Sequence, residues 1–204
     1  MAPQYKLHYF NFRGLGEFIR YLFAYGKIEF EDFRIDIQDS WGELKKTYPN
    51  EKLPLLEVDG QKLNQSTAIG RLLAKKVGLA GADDWEAARI DASVDDLNDL
   101  RTQFVAAAMH QDPATKANLL EKFGKEAVPL FFSRLEKQVK ENNGYFVNGK
   151  LSWADLYLAA YSKTYDVFFP NIFEPYPALQ GVIDKVHAEP NIKIWVEKRP
   201  ETEF

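Results

Sequence analysis

Hydrophobic and polar positions in the first eighty residues alternate between two periods. Residues 4–10 place Tyr5, Leu7 and Tyr9 on one side, which is the alternation of a β-strand. The next stretch repeats its apolar residues at helical spacing, and later Asp59-Gly60 is a strong hairpin turn. The pattern predicts strand, helix, strand, short helix or turn, strand, strand and helix over residues 4–10, 14–26, 28–35, 40–48, 53–58, 61–64 and 65–77.

After Gly81 the strand signals disappear and only helical periodicity remains. The short stretch 78–84 is small and polar and lies at this change of period, as a linker does. We therefore predict an α/β domain over residues 1–80, followed by an all-α domain over residues 84–204 that carries much of any apolar site. Its helices are expected over residues 83–110, 119–142 (with a kink at Pro129), 152–168, 178–187 and 191–198.

Composition narrows the classes of function. The chain has 204 residues, 46% of them hydrophobic and 27% charged, which is ordinary for a folded protein. The formal net charge of −4 supplies no general attraction for nucleic acid or anionic lipid. No stretch approaches the roughly 20 apolar residues of a membrane span, and the first residues lack a secretory signal pattern. We expect a cytoplasmic protein with no nucleic-acid partner and no membrane insertion.

Cysteine is absent, which excludes disulfides, cysteine metal sites, a cysteine nucleophile and dithiol redox chemistry. The three histidines are far apart in sequence and lack metal-ligand spacing. Four aspartates, Asp91, Asp95, Asp96 and Asp99, lie on one predicted helix. Such a run is more often a solvated face than a cation site, so we expect no metal.

Three local features stand out, although each has an ordinary structural explanation. Tyr9 ends the first strand; Pro54 opens the third, where it blocks a ladder hydrogen bond and is a candidate cis residue. Gln65 and Ser66 begin a helix, where free backbone N–H groups can bind a carboxylate. In addition, the sequence from Ser152 to Asp155 is a capping box, which by itself indicates only the start of a buried helix.

These segments occur together with others in one order: YKLHYFNFRG over residues 5–14, KLPLLEVDG over 52–60, QS followed by AI over 65–69, SWAD over 152–155, and KRP over 198–200. As a set they resemble the cytosolic glutathione transferases, and specifically class sigma. The resemblance covers essentially the whole chain. It implies a thioredoxin-like N-terminal domain, an all-α helical-bundle C-terminal domain, a homodimer, and glutathione as the co-substrate with no metal required.

The resemblance also implies site residues. Tyr9 would donate its hydroxyl hydrogen to the glutathione sulfur, and Arg13 would support the electrostatic field there. Asp99 would reach across the dimer to the glutamyl ammonium of the partner's glutathione. The other contacts implied are Trp41 and Lys45 at the glycyl end, Lys52 as a second cation, the backbone of Leu53 ahead of Pro54, and Gln65 and Ser66 at the γ-glutamyl carboxylate.

The implied pocket for the hydrophobic electrophile is lined by Phe12, Leu15, Arg101, Ala106, Tyr157, Tyr161 and Phe204. A prostaglandin-isomerising member of the class has arginine at the Leu15 position and tryptophan at the Ala106 position, so this chain departs from it there. Asn50-Glu51 is a second departure, where relatives usually have Phe-Gly.

The function implied is conjugation of glutathione to hydrophobic electrophiles, such as lipid peroxidation products. Some members also reduce peroxides or isomerise prostaglandin H. The alternative is a catalytically weak ligand carrier or a crystallin-like structural protein of the same fold.

Overall fold

The computed structural model describes residues 3–38 and 41–202. Within them, four strands form one mixed sheet in the order β2-β1-β3-β4. The central strand β1 pairs in parallel with β2, with Tyr9 opposite Arg34, and antiparallel with β3, which continues through a hairpin into β4. The strands are β1 (Tyr5–Phe10), β2 (Glu31–Ile35), β3 (Leu55–Val58) and β4 (Gln61–Asn64).

Helices make up most of the remaining described chain. The predicted order of strands and helices is confirmed, and after residue 83 the regular elements are helical. In the described ranges, no helix combines the length and the apolar character needed to cross a membrane. The helices are α1 (Gly14–Tyr25), α2 (Trp41–Leu44), α3 (Ser66–Val77), α4 (Asp84–Ala108), α5 (Pro113–Lys122), α6 (Val128–Glu141), α7 (Trp153–Phe168), α8 (Pro177–Ala188) and α9 (Pro190–Lys198).

Strand β2 begins at Glu31, three residues later than the alternation predicts. The chain is still leaving α1 there, because the N–H of Ile28 donates to the carbonyl of Phe23 at 2.9 Å. Lys27 has a φ of 52°, which turns the chain out of the helix. The alternation of side chains contains no information about these backbone hydrogen bonds. The strand predicted over residues 28–35 was therefore too long at its start.

The single helix predicted over residues 119–142 is wrong. The structure has α5, a π-helical segment over Phe123–Ala127, and α6. Helix α5 starts earlier because the Asp112 side chain caps it by accepting from the N–H of Thr115 at 2.8 Å. The π-helical segment ends two residues before Pro129, whose missing N–H and bulky ring disfavour regular α-helical bonding to residue 125.

The two halves share one hydrophobic core. Leu79 and Ala80, within the predicted linker, are buried rather than exposed, and the carbonyl of Leu79 accepts from the N–H of Trp153 at 3.1 Å. Phe18 on α1 packs on Tyr157 of α7, with ring centroids 4.8 Å apart. The sheet half and the helical half are therefore joined by apolar contacts along α1 and α7.

A buried charged cluster links the same two halves. Glu17 on α1 is 1% exposed and accepts from the indole N–H of Trp195 at 2.9 Å and from the guanidinium of Arg199, both on the C-terminal side of the chain. It also accepts from Arg20 at 3.2 Å. Burial alone raises the pKa of Glu17, but the arginines outweigh it and the net shift is downward. Glu17 is therefore an ionised, fully bonded carboxylate inside the junction.

Candidate active site

A cavity of about 130 Å³ lies where α1, the β3 entry and the start of α3 meet. Its lining gathers residues from three separated segments that the sequence predicts for one site. The peptide bond between Leu53 and Pro54 is cis, as the strand-opening proline suggested. The lining residues are Leu15, Asn50, Lys52, Leu53, Pro54, Asn64, Gln65 and Ser66.

The start of α3 forms one wall of this cavity. Gln65 is its N-cap residue, with a φ of 73° and a ψ of 111°, and Ser66 follows at the first helical position. The Gln65 side chain makes no capping hydrogen bond, so the first N–H groups of α3 are available to an anion. A non-glycine residue held in this sparsely populated conformation is typical of functional sites.

Tyr9 lies beside Leu15 and is not itself among the residues that line the cavity. Its side chain is 5% exposed, and its hydroxyl oxygen accepts from the backbone N–H of Leu15 at 2.9 Å. Burial raises the pKa of Tyr9 to about 12, although the Leu15 bond and the charges of Arg20 and Arg101 lower it. The phenol therefore keeps its proton at neutral pH. Because its oxygen is already an acceptor, that proton is the group left to donate to a ligand.

Three arginines surround this region, and they point in different directions. Arg13, predicted to support the field at the sulfur, is buried and donates to the carbonyl of Thr202 at 2.7 Å. Arg20 is 0% exposed, and its guanidinium carbon lies 5.7 Å from the centre of the Tyr9 ring. Arg20 and Arg101 both lower the pKa of the Tyr9 phenol, and Arg13 contacts the C-terminal segment.

Trp41 and Lys45 lie on a separate segment beside the cavity rather than in its lining. Trp41 packs between Phe10 and Tyr48, with ring centroids 5.2 Å and 5.5 Å away. The Lys45 ammonium is 43% exposed at the side chain and lies 3.9 Å from the Glu51 carboxylate. Both residues are half-buried.

Asp99 lies exposed on α4 and outside the cavity lining. It is one turn from Asp96, whose pKa is raised by burial and by the neighbouring charges of Asp99 and Asp95, against Arg134. Across the two described ranges, no group of three or more potential ligands is arranged to hold a metal ion.

The described residues among those predicted for the electrophile pocket lie in several places. Phe12 stacks on Phe10 and meets the Tyr9 ring edge-on at 5.6 Å. Tyr157 and Tyr161 are 1% and 4% exposed and stack on each other, with Arg101 against their hydroxyls. The remaining three separate: Leu15 lines the 130 Å³ cavity, Ala106 lines a groove of about 370 Å³ between α4, α5 and the π-helical segment, and Phe204 lies outside the described residues.

Comparison with known proteins identifies this arrangement. Residues 5–75 match the family model for the glutathione S-transferase N-terminal domain, and residues 98–199 match a model for the C-terminal domain. The chain is 44% identical to glutathione S-transferase S1 of Drosophila melanogaster over 98% of this chain and 80% of that protein. The chain belongs to the glutathione S-transferase family. Family membership supports the enzyme class that the sequence predicts, glutathione transferase.

Two further members of the glutathione S-transferase family agree with class sigma. The human haematopoietic prostaglandin D synthase is 39% identical over 99% of this chain and 100% of its own length. The solved structure of prostaglandin synthase D of Nilaparvata lugens, 43% identical, superposes with a TM-score of 0.94 and covers 98% of this chain and 100% of that one. The predicted fold class, thioredoxin-like followed by helical, is confirmed. Glutathione is the co-substrate that this family uses.

The structure adds residues to this glutathione S-transferase site that the sequence analysis missed. Arg20 and Asn64 are two of them, and neither lies in a quoted motif. Gly14 and Gly16 are two more, since each has the Tyr9 side chain closer than 3 Å to where a Cβ would stand. Arg20 carries one usable signal: with Glu17 it is an i, i+3 pair of opposite charges set among the apolar residues of α1.

Proposed function

We propose that this protein binds glutathione in the cavity beside Tyr9, stabilises its thiolate, and transfers it to hydrophobic electrophiles. The observation that carries the proposal is the Tyr9 hydroxyl, a protonated phenol whose oxygen already accepts from Leu15. A hydrogen bond donated to a thiolate favours the charged form and lowers the thiol pKa from about 8.5. Only about 3% of an ordinary thiol is thiolate at pH 7, so this shift raises the reactive fraction.

The cavity lining supports a single orientation of the tripeptide. The γ-glutamyl carboxylate is taken by Ser66 and the free N–H groups at the start of α3, beside Gln65. The backbone of Leu53 pairs with the cysteinyl main chain as an added strand does, and Lys52 supplies a cation toward the glycyl end. The thiol then lies toward Tyr9.

In the reaction, the thiol proton passes to solvent and the sulfur electron pair forms a bond to an electrophilic carbon. With an unsaturated carbonyl acceptor, the β-carbon takes the sulfur and the α-carbon is protonated. With an aryl halide, halide leaves. Apolar and aromatic residues around Phe12 and Leu15 support a hydrophobic acceptor, such as a lipid peroxidation product. Peroxide reduction and prostaglandin H isomerisation are side activities within the same proposal.

The proposal also covers the two domains, the oligomeric state and the location of the protein. We assign residues 1–80 to a glutathione-binding domain and residues 84–204 to a helical domain that carries much of the electrophile site. The protein acts as a cytoplasmic homodimer without a metal. The absence of cysteine fits this scheme, because the reactive sulfur arrives with glutathione.

The test is a paired measurement on wild type and Tyr9→Phe. Conjugation of a chlorodinitrobenzene acceptor and binding of glutathione are measured together, with Tyr145→Phe as a control for loss of a phenol hydroxyl elsewhere. We expect Tyr9→Phe to bind glutathione normally and to lose roughly a hundredfold in kcat, the effect of removing one donor to a developing anion. A wild type that binds glutathione and conjugates nothing would contradict the proposal and favour the carrier or crystallin-like alternative.

A further inference from the structure

The segment that carries Trp41 and Lys45 has little structure of its own. It consists of the one-turn helix α2 and two 3₁₀ turns, Lys45–Thr47 and Pro49–Glu51. None of its residues from 41 to 51 is buried. Segments without buried apolar residues have low local stability, so the position of this one depends on a small number of side-chain contacts.

One of those contacts is a hydrogen bond to the central strand. The Tyr48 hydroxyl lies 2.9 Å from Nδ1 of His8, which is in β1 and 9% exposed. Nε2 of His8 faces the Glu57 carboxylate at 3.6 Å. The carboxylate favours the tautomer with hydrogen on Nε2, which leaves Nδ1 to accept from the Tyr48 hydroxyl.

Contacts between aromatic rings connect the hydrogen bond of His8 and Tyr48 to Trp41. The Tyr48 ring meets the His8 ring edge-on at 5.6 Å and lies 5.5 Å from the Trp41 ring. Trp41 in turn meets Phe10 of β1 edge-on at 5.2 Å. Tyr48 therefore spans the distance between a fixed strand residue and the side chain next to the cavity. Its backbone N–H also donates to the Lys45 carbonyl at 3.1 Å, which joins Lys45 to the same anchor.

We propose that His8 is a positioning residue for the glycyl end of glutathione, holding Trp41 and Lys45 in place through the hydroxyl of Tyr48. This inference rests on the proposed function, within which we also assign the glycyl carboxylate to Trp41 and Lys45. His8 touches neither glutathione nor the reacting atoms. It lies on β1 directly before Tyr9, and its side chain points to the opposite face of the sheet.

The test compares two thiols, glutathione and γ-glutamylcysteine, which lacks the glycyl residue. Tyr48→Phe keeps the ring and removes only the hydroxyl. We expect it to raise KM for glutathione about three- to tenfold, the effect of one hydrogen bond, with kcat unchanged at saturation. With γ-glutamylcysteine the same variant should match wild type, because there is no glycyl carboxylate to misplace. A general structural defect would affect both thiols.

Two controls make the result specific. Tyr5→Phe removes a hydroxyl from the same strand β1 and should change neither KM. His8→Leu should reproduce the Tyr48→Phe phenotype, and the double variant should be no worse than either single one, because both break the same bond. Equal effects on the two thiols, a fall in kcat alone, or no change in Tyr48→Phe would overturn the inference. If wild type conjugates neither thiol, the proposed function itself has failed.

Discussion

Two glycines fix the position of the Tyr9 ring. A Cβ at Gly16 would stand 2.5 Å from Cδ1 of Tyr9, and one at Gly14 would stand 2.6 Å from the Tyr9 hydroxyl oxygen. Both distances are far below van der Waals contact, so neither position can take a side chain unless the ring moves. Gly14 also has a φ of +38°, which suits glycine. The first turn of α1 thus depends on glycine for a packing reason.

Gly16→Ala should therefore lower activity through Tyr9. The added methyl displaces the ring from its bond with Leu15, so we expect kcat to fall about ten- to a hundredfold while the protein stays folded. Steady-state kinetics with circular dichroism would measure this. The matched control is Gly181→Ala in α8, where a Cβ meets nothing within 4 Å. That variant should gain up to about 1 kcal/mol of stability with full activity. Wild-type kcat in Gly16→Ala would mean that the ring position is not critical.

Sequence alone predicted the site residues that lie in contiguous motifs. Tyr9, Pro54 and Gln65 each lie at the start or end of a predicted strand or helix, and the ordered set of motifs to which they belong singles them out. Arg20 and Asn64 were missed because their roles come from contacts between separate segments: Arg20 lies over the Tyr9 ring, and Asn64 enters the cavity wall only when β4 pairs with β3. Local periodicity carries no information on such contacts.

At the level of secondary-structure elements, the capping box at α7 was also predicted correctly. The Asp155 carboxylate accepts from both the N–H and the hydroxyl of Ser152, each at 2.7 Å, and from the N–H of Phe146 at 3.1 Å. Asp155 is 0% exposed. The carboxylate therefore joins the loop before α7 to the first turn of the most buried helix in the described chain.

Titration of the Asp155 carboxyl makes the free energy of unfolding depend on pH. Burial raises the pKa of the Asp155 carboxyl to about 6, against the bonds from Ser152 and Phe146 that lower it. A pKa raised on folding contributes stability that is fully present below the unfolded pKa and is lost as pH rises through the folded pKa. Its window is therefore roughly pH 4 to 6.

The cost of Asp155→Asn should accordingly be larger near pH 4 than near pH 7. We expect the difference in free energy of unfolding between wild type and variant to change by up to about 1.4 kcal/mol per pH unit within that window. Urea unfolding at several pH values measures it. Loss of the capping hydrogen bonds alone should lower the free energy of unfolding by about 1–2 kcal/mol at pH 7. A difference that shrinks toward low pH would show that the hydrogen bonds outweigh burial and depress this pKa.

Elements were less predictable where the backbone departs from regular geometry. The π-helical segment before Pro129 continues an apolar stripe, so periodicity predicts one helix over residues 119–142 that joins the end of α5 to α6. The late start of β2 has a similar origin, since Ile28 and Phe30 alternate as a strand does but Ile28 still bonds back to α1. In both places a main-chain hydrogen bond decides the structure, and side-chain pattern does not report it.

For the whole molecule, the chain's two halves meet in a core and in the charged cluster around Glu17. Arg199 and Trp195 reach Glu17 from the C-terminal side, and Arg20 connects the same carboxylate to the carbonyls of Phe10 and Phe12 beside Tyr9. A chain of hydrogen bonds through Glu17 and Arg20 thus connects the C-terminal helix to the segment that follows Tyr9. The predicted contact of Asp99 with glutathione is not made within a single chain. Asp99 is exposed and lies outside the cavity lining of its own chain.

If Asp99 serves the partner's glutathione, two defective chains should complement each other. In a mixed dimer of Tyr9→Phe and Asp99→Asn protomers, one site has both defects and the other has neither. Random reassembly of equal amounts makes half of the dimers mixed, so about a quarter of all sites regain wild-type composition. We expect conjugation activity well above either homodimer at the same concentration, and sedimentation should show a dimer. If Asp99 acted within its own chain, every site would keep one defect and mixing would recover nothing.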